Sequence, residues 1–110
     1  MCTLFIYRSK NTEWPVFIAN NRDEYLSRTF MPPGYHWDIS VFAGKDNKEG
    51  GTWLGINNHG LCAAILNRNS DNLKTNKITT RGNIIIEALK QKNALDALNF
   101  IENNFKKNTK

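Results

Sequence analysis

The residue whose type and position best suit chemistry is Cys2. It follows Met1, and its small side chain permits removal of that methionine. Removal leaves a cysteine whose α-amine, with an unperturbed pKa of about 7.7–8.0, stands beside its own thiol. Base and nucleophile then share one residue. The competing reading makes Cys2 a small apolar residue at the start of a strand. A second cluster, Asn20-Asn21-Arg22-Asp23-Glu24, follows directly on an apolar run. A carboxylate there can hold a protonated terminal amine, and an Arg can stabilise a thiolate or bind a substrate carboxylate. Taken alone, the cluster is equally an exposed loop with a local Arg22–Asp23 pair. A hairpin brings the two features together. A turn centred between Asn11 and Thr12 sets Cys2 opposite Asn21, beside Arg22, Asp23 and Glu24.

Other residues carry weaker signals. Trp53 is a candidate substrate contact, although an indole more often packs than stacks on a ligand. Gly50-Gly51 lets a backbone approach a ligand or simply makes a turn. His59, Cys62 and Cys2 are scattered rather than spaced as a metal site, so no metal is expected. His36 reads as a loop residue, and it becomes a candidate ligand only if haem is bound.

These residues must be positioned by strands that come first and helices that come second. Cys2–Tyr7 and Pro15–Asn20 read as a hairpin around the polar turn Arg8–Glu13, with Pro15 at a strand start where a missing N–H costs least. Both strands are apolar on both faces, the pattern of a sheet covered on both sides. Residues 21–50 read as mostly loop, with a helical turn near Asp23–Ser27, punctuation at Met31-Pro32-Pro33-Gly34-Tyr35 and a short strand at Val41-Phe42-Ala43. Thr52–Ile56 and Leu61–Leu66 read as a second hairpin around Asn57-Asn58-His59-Gly60. After a polar loop over 67–80, helices are predicted over Gly82–Gln91 and Ala94–Lys107. Asn93 caps the second, and Ala94, Ala97, Leu98, Ile101 and Phe105 follow its 3.6-residue period. Strands followed by helices without alternation give an α+β class with mainly antiparallel strands.

Composition narrows the function classes. The 110 residues suffice for a single domain, residues 1–110. No apolar stretch approaches the roughly 20 residues of a membrane helix. No basic leader precedes the first strand, and two cysteines make no disulfide framework, so a reduced, cytoplasmic protein is expected. The net charge of +5 arises wholly in residues 58–110. Arg68, Lys74, Lys77 and Arg81 crowd the loop before the helices, without interleaved aromatics. A solvated loop or an anion contact is expected there, and nucleic-acid binding is not.

The order and spacing of Met1-Cys2, Ala19-Asn20-Asn21-Arg22-Asp23-Glu24, Ala43-Gly44-Lys45-Asp46, Gly50-Gly51-Thr52-Trp53-Leu54-Gly55 and Thr80-Arg81-Gly82 resemble the NRDE family. It is also called the transport and Golgi organisation protein 2 family. The likeness runs from Cys2 to about Leu89 and implies an N-terminal portion of a longer domain. It further implies a sandwich of the N-terminal-nucleophile hydrolase type, two sheets between helix layers, and a role in Golgi organisation, haem trafficking or acyl-lipid metabolism. More distantly, the chain resembles the choloylglycine hydrolase and penicillin acylase group. These begin Met-Cys-Thr and carry Arg-Asn-x-Asp after a hairpin. Asn21 and Asp23 match that segment, while Asn20 stands at its Arg position and Arg22 at its variable one. Asn57-x-x-Gly60-Leu61, followed by Leu66-Asn67, resembles two further segments. This likeness implies Cys2 as nucleophile, Asp23 as amine anchor and Asn67 as an oxyanion contact. Asn20 removes the group that lowers the thiol pKa, and Arg22 replaces it only by turning inward.

Three functions follow as expectations. One is a family protein that handles haem or acyl lipids, with a small-molecule ligand and haem as cargo rather than resident cofactor. Another is an amidase or acyltransferase with catalytic Cys2, Asp23 and Asn67, and substrate contacts from Asn20, Asn21, Arg22, Glu24 and Trp53. The third is a fragment that neither binds nor catalyses.

Overall fold

A computed structural model describes residues 3–10, 13–37, 39–66 and 81–105. Cys2, Asn67, the basic loop over 67–80 and the Lys-rich tail lie outside the described residues. The chain is α+β: six strands in two antiparallel sheets, then two helices. β1 (Thr3–Arg8) and β2 (Val16–Asn21) form a two-stranded hairpin. β3 (Phe30–Gly34), β4 (Val41–Asp46), β5 (Leu54–Asn57) and β6 (Cys62–Ala64) form a meander in that order. α1 (Arg81–Ala88) and α2 (Ala94–Phe105) follow.

Side-chain alternation gives the meander two different faces. Val41 and Ala43 of β4, with Gly55 of β5, turn toward the helices. Val41, Ala43, Leu61, Ile85, Ile86, Ala88, Leu89 and Ala97 make the buried core. Close approach of helix and sheet requires bare backbone. A Cβ on Gly55 would stand 2.8 Å from Leu89 Cδ1 and 2.9 Å from the Ala43 Cβ. A Cβ on Gly51 would stand 2.5 Å from the carbonyl carbon of Gly82, so the start of α1 meets the β4–β5 connection at backbone-to-backbone distance. The opposite face of the meander carries Phe42, Leu54, Ile56 and Cys62.

Asn57 joins α1 to the sheet. Its Nδ2 donates to the carbonyls of Leu89 (2.9 Å) and Gln91 (2.7 Å), which lie just past the last turn of α1. Its Oδ1 accepts from the amides of His59 and Leu61, both at 2.9 Å. One buried side chain thus shapes the β5–β6 turn and satisfies carbonyls at the end of a helix. Gly60 closes the turn with φ of +85°, a region open to glycine. Asn93 caps α2 as expected, its Oδ1 accepting from the Asp96 amide at 2.9 Å.

The structure corrects several expectations. The hairpin register pairs Thr3 with Asn21 and Leu4 with Asn20. That is one residue away from a register placing Cys2 opposite Asn21, because the connecting turn is longer by one position than a turn centred at Asn11–Thr12. Residues 30–34, read as loop on account of Pro32-Pro33-Gly34, form edge strand β3, and the register shifts between Met31 and Gly34. An edge strand tolerates Pro on its unpaired side. β4 runs on to Asp46 rather than ending at Ala43. The hairpin is not covered on both sides among the described residues. Phe5, Tyr7, Trp14 and Phe17 form an exposed aromatic strip on its outer face.

Replacement of Asn57 by Ala orphans two buried carbonyls and two amides. The expected cost is about 2–4 kcal/mol, read from urea unfolding, with an unchanged m-value. A loss below about 1 kcal/mol would show that water replaces the side chain and that Asn57 does not hold α1 in place.

Candidate functional site

The hairpin faces the helix-free side of the meander across an open cleft of about 370 Å³. Val16 and Ile18 of β2 form one wall; Phe42, Leu54, Ile56 and Cys62 form the other, with Pro33 at the edge and Trp53 and Gly44 at one end. These are the inward positions of alternating strands, so the apolar lining follows directly from strand period.

Next to Trp53 and Gly44, but outside the cleft lining, a polar cluster is built around Asp46. As the last residue of β4 it shares a face with Phe42 and Gly44, and its side chain is 11% exposed. Arg28, from the β2–β3 connection, binds it with both arms, Nε to Oδ1 at 3.2 Å and Nη2 to Oδ2 at 2.5 Å. The Lys48 amide donates to Oδ1 at 3.3 Å. Burial alone would push the Asp46 pKa up. The Arg28 hydrogen bonds, the Lys48 amide and the charges of Arg28 and Arg22 outweigh it, so the carboxyl titrates below its ordinary value. The same pairing raises the Arg28 pKa against the opposing effect of burial, with smaller help from Glu24 and Glu49.

Arg22 arrives from the far end of β2. Its Cζ stands 4.6 Å from the centroid of Trp53 and 5.5 Å from that of Phe30. The two rings meet nearly at right angles, and Arg22 fills the corner between them. Trp53 in turn lies on Gly44, where a Cβ would come within 2.6 Å of its Cζ2 and Cη2 atoms. Arg22 Nη2 is 3.8 Å from Asp46 Oδ1, too far for a hydrogen bond.

The sequence-predicted site residues therefore divide. Arg22 packs on Trp53, and Trp53 lines the cleft. Glu24 is half-buried and acts on Arg28. Asn21 is exposed and paired with Thr3, and Asp23 is exposed. Asn20 donates from Nδ2 to the Thr3 carbonyl at 3.1 Å, while its Oδ1 is buried with no hydrogen-bond partner among the described residues. Cys2 and Asn67 lie outside the described residues. The Cys62 thiol lines the cleft, and burial pushes its pKa up, so it stays protonated at neutral pH. Nε2 of His36 lies 2.7 Å from the carbonyl of Pro32, which only accepts, so that nitrogen carries a proton and is not open to a metal. Among the described residues no group of three or more His, Cys, Asp or Glu could hold a metal ion, and no helix is long and apolar enough to cross a membrane.

Sequence reasoning assigned no role to Asp46, Arg28, Phe30 or Gly44. The signal was available in part: Phe42-Ala43-Gly44-Lys45-Asp46 places a small residue and a carboxylate on the same strand face as an aromatic.

Comparison with known proteins agrees with the motif order. The family model for Transport and Golgi organisation 2 matches residues 1–110. The chain belongs to the Transport and Golgi organisation 2 family. It is 33% identical over 99 residues to the Transport and Golgi organization protein 2 homolog of Bos taurus, covering 86% of this chain and 34% of that protein. It is 32% identical over 90 residues to the uncharacterized protein YGR127W of Saccharomyces cerevisiae, covering 74% of this chain and 28% of that one. The chain thus spans about a third of the length of these relatives. No solved structure matches.

The lowered pKa of Asp46 has a measurable consequence. Its contribution to stability is complete above the unfolded value of about 3.9 and is lost as pH falls through the lower folded value. Asp46→Asn should be less stable than wild type at pH 7 and should lose less stability on acidification through that range. Unfolding midpoints measured as a function of pH test this. Parallel curves for the two proteins would mean that Asp46 has no special share in acid unfolding.

Proposed function

We propose that this protein is a cytoplasmic small-molecule handler that takes an acyl lipid by its chain into the cleft between hairpin and meander. The observation that carries this reading is the cleft itself: Val16, Ile18, Phe42, Leu54 and Ile56 converge on one open volume that nothing in the described chain fills. Such a lining rewards contact with hydrocarbon and offers nothing to a polar solute. Family membership supports a transport-related role. Haem is the other cargo that the family resemblance implies. An acyl chain is favoured over it, because among the described residues no histidine lines the cleft and Cys62 is a protonated thiol.

A second reading is an N-terminal-cysteine amidase or acyltransferase, with Cys2, Asp23 and Asn67 in the roles described above. One observation favours it. The Asn20 Oδ1 acceptor is buried and unpartnered among the described residues, and Asn20 already holds the carbonyl of Thr3, the residue bonded to Cys2. A trimmed Cys2 would bring an α-amine whose N–H donors are of the kind this acceptor lacks. In that reaction the thiol sulfur bonds to the carbonyl carbon of an amide or thioester as its proton passes to the amine. Collapse of the tetrahedral oxyanion breaks the bond to the leaving group, which takes that proton, and water or a second acceptor then cleaves the acyl-thioester.

Two measurements separate the readings. A saturating fluorescent fatty acid should bind with micromolar or better affinity. It should also slow alkylation of Cys62, read by peptide mapping so that Cys2 is counted apart. A cleft-blocking Ile18→Glu change should abolish both effects, and haem titrated in parallel should bind more weakly. Absence of saturable binding by either ligand would sink the handling reading. For the enzyme, intact mass decides first: quantitative retention of Met1 leaves Cys2 without a free α-amine and ends that mechanism. Where Met1 is absent, an acyl adduct from an activated ester should form on wild type and not on Cys2→Ala.

A further inference from the structure

We propose that the outer face of the β1–β2 hairpin is a self-association surface, on which a second copy of this chain packs face to face with its strands running the other way. The surface lies on the side of the hairpin turned away from the cleft, so it stands or falls independently of what the cleft holds.

Strand pairing fixes the composition of that face. Thr3 pairs with Asn21, Phe5 with Ala19 and Tyr7 with Phe17, and directly opposed residues point the same way. Val16 and Ile18 alternate with Phe17 and line the cleft on the other side. Trp14 stacks on Phe17 with ring centroids 6.3 Å apart, which extends the outer face beyond the start of β2. An antiparallel sheet that faces water carries polar residues on that side. Here none of the six strand positions is charged, and polarity is confined to Thr3, Asn21 and the Tyr7 hydroxyl. Among the described residues β1 and β2 pair only with one another. A two-stranded hairpin is marginal in water unless a face of it is covered.

The exposed area suits a small dimer. Phe5, Tyr7, Trp14 and Phe17 are between 49% and 68% exposed. With about 150–250 Å² for each aromatic side chain, the four together offer on the order of 500 Å². Two such faces bury about 1,000 Å² between them, the size at which specific interfaces begin. Ala19, opposite Phe5, is a low point between rings. Facing sheets fill such points with large side chains from the partner.

Charge selects the orientation. A two-fold contact requires a surface that matches itself. At the turn end of the hairpin Arg8 and Lys10 stand against Glu13, one positive charge in excess. At the other end Arg22 and Arg28 stand against Asp23, Glu24 and Asp46, one negative charge in excess, and Lys48 and Glu49 of the turn after β4 cancel. A two-fold axis across the strands sets the positive end of each copy over the negative end of the other, twice by symmetry. An axis along the strands would set like on like. The apolar strip between the ends is the same in both arrangements, so the ends decide between them.

The test is sedimentation velocity of the full chain over about 1–200 μM, with a dimer expected at a Kd of about 1–100 μM. Tyr7→Lys and Phe17→Lys, which place a charge in the centre of the strip, should each weaken association by about tenfold or more. Leu95→Lys, on the exposed face of α2 and 67% exposed in the wild type, should change it by less than about twofold. Where a strand variant does not unfold cooperatively, Trp14→Lys, outside the strands, takes its place. A carbodiimide cross-link between isotopically distinct copies should join Lys10 of one to Asp23 or Glu24 of the other. A monomer at every concentration overturns the proposal, as does a dimer lost in Leu95→Lys and kept in the strand variants. Intermolecular Lys10–Glu13 links overturn the orientation, and species that grow beyond the dimer overturn the closed two-fold contact. A monomer that floats with phosphatidylserine vesicles, and ceases to do so as Tyr7→Lys, assigns the strip to a bilayer and overturns the second copy as its occupant.

Discussion

A single buried carboxylate governs how the two sheets meet. Asp46 ends the central strand β4, clasps Arg28 from the connection that leaves the hairpin, and draws Arg22 from the hairpin's last turn toward the meander. The Coulomb attraction between an exposed Arg and Asp is small. Here the ion pair is largely withdrawn from water and bidentate, so geometry as well as charge is fixed. Because the Asp46 amide also donates to the Gly51 carbonyl and the Asp46 carbonyl accepts from the Gly50 amide, the clasp is set at the start of the turn that follows β4. Loss of the carboxylate would take from the half-buried Arg28 its hydrogen-bonded partner and from Arg22 its nearest opposite charge. The cleft wall depends on that anchorage, since Val16 and Ile18 reach it only through the position of β2.

The opposite face of the meander relies on the absence of side chains. Gly51 and Gly82 let the start of α1 meet the β4–β5 connection at backbone distance, and Gly55 admits Leu89 against the sheet. Asn57 then holds the other end of α1 by its last carbonyls. One helix is thus located at both ends by local chemistry, and the apolar core between Val41, Ile85 and Leu89 fills the space that these contacts define. Small residues on the helix side and large ones on the cleft side give the sheet its asymmetry. The first face is closed by packing, and the second is left open to a ligand.

Much of this was legible in the sequence. The β-branched and aromatic runs located the strands of both hairpins, and the spacing from Asn93 to Ile101 located α2 with its cap. What escaped follows from physical causes. β3 was hidden because Pro32-Pro33-Gly34 opposes a central strand, and nothing local announces that a strand is an edge. The hairpin register was misplaced by one residue, since turn length is not encoded by residue type at Asn11–Thr12. Asn57 carried a family-like pattern at the site, yet its side chain is fully occupied by the turn and by α1. Arg22 and Trp53 were both noted, but their contact joins residues 31 positions apart and could not be read from either segment. Asp46 stayed unassigned because its partners, Arg22 and Arg28, come from another strand end and a connection.

The arrangement also bears on the two functional readings. Asp46 is the best-buried described carboxylate near the hairpin, and it is committed to Arg28. It is therefore not free to hold a terminal ammonium as well. An N-terminal mechanism must draw on Asp23, which is exposed, or on the Asn20 oxygen, which is neutral. An exposed carboxylate interacts with an amine through solvent of high dielectric constant and shifts its pKa little. A neutral acceptor orients the amine without favouring its charged form as strongly as a carboxylate would. Arg22, two residues beyond Asn20, lies on the faces of Trp53 and Phe30 and is attracted by Asp46, so its charge is engaged in that corner. An Arg engaged in this way must leave both rings and Asp46 before it can act in place of the Arg at whose position Asn20 stands.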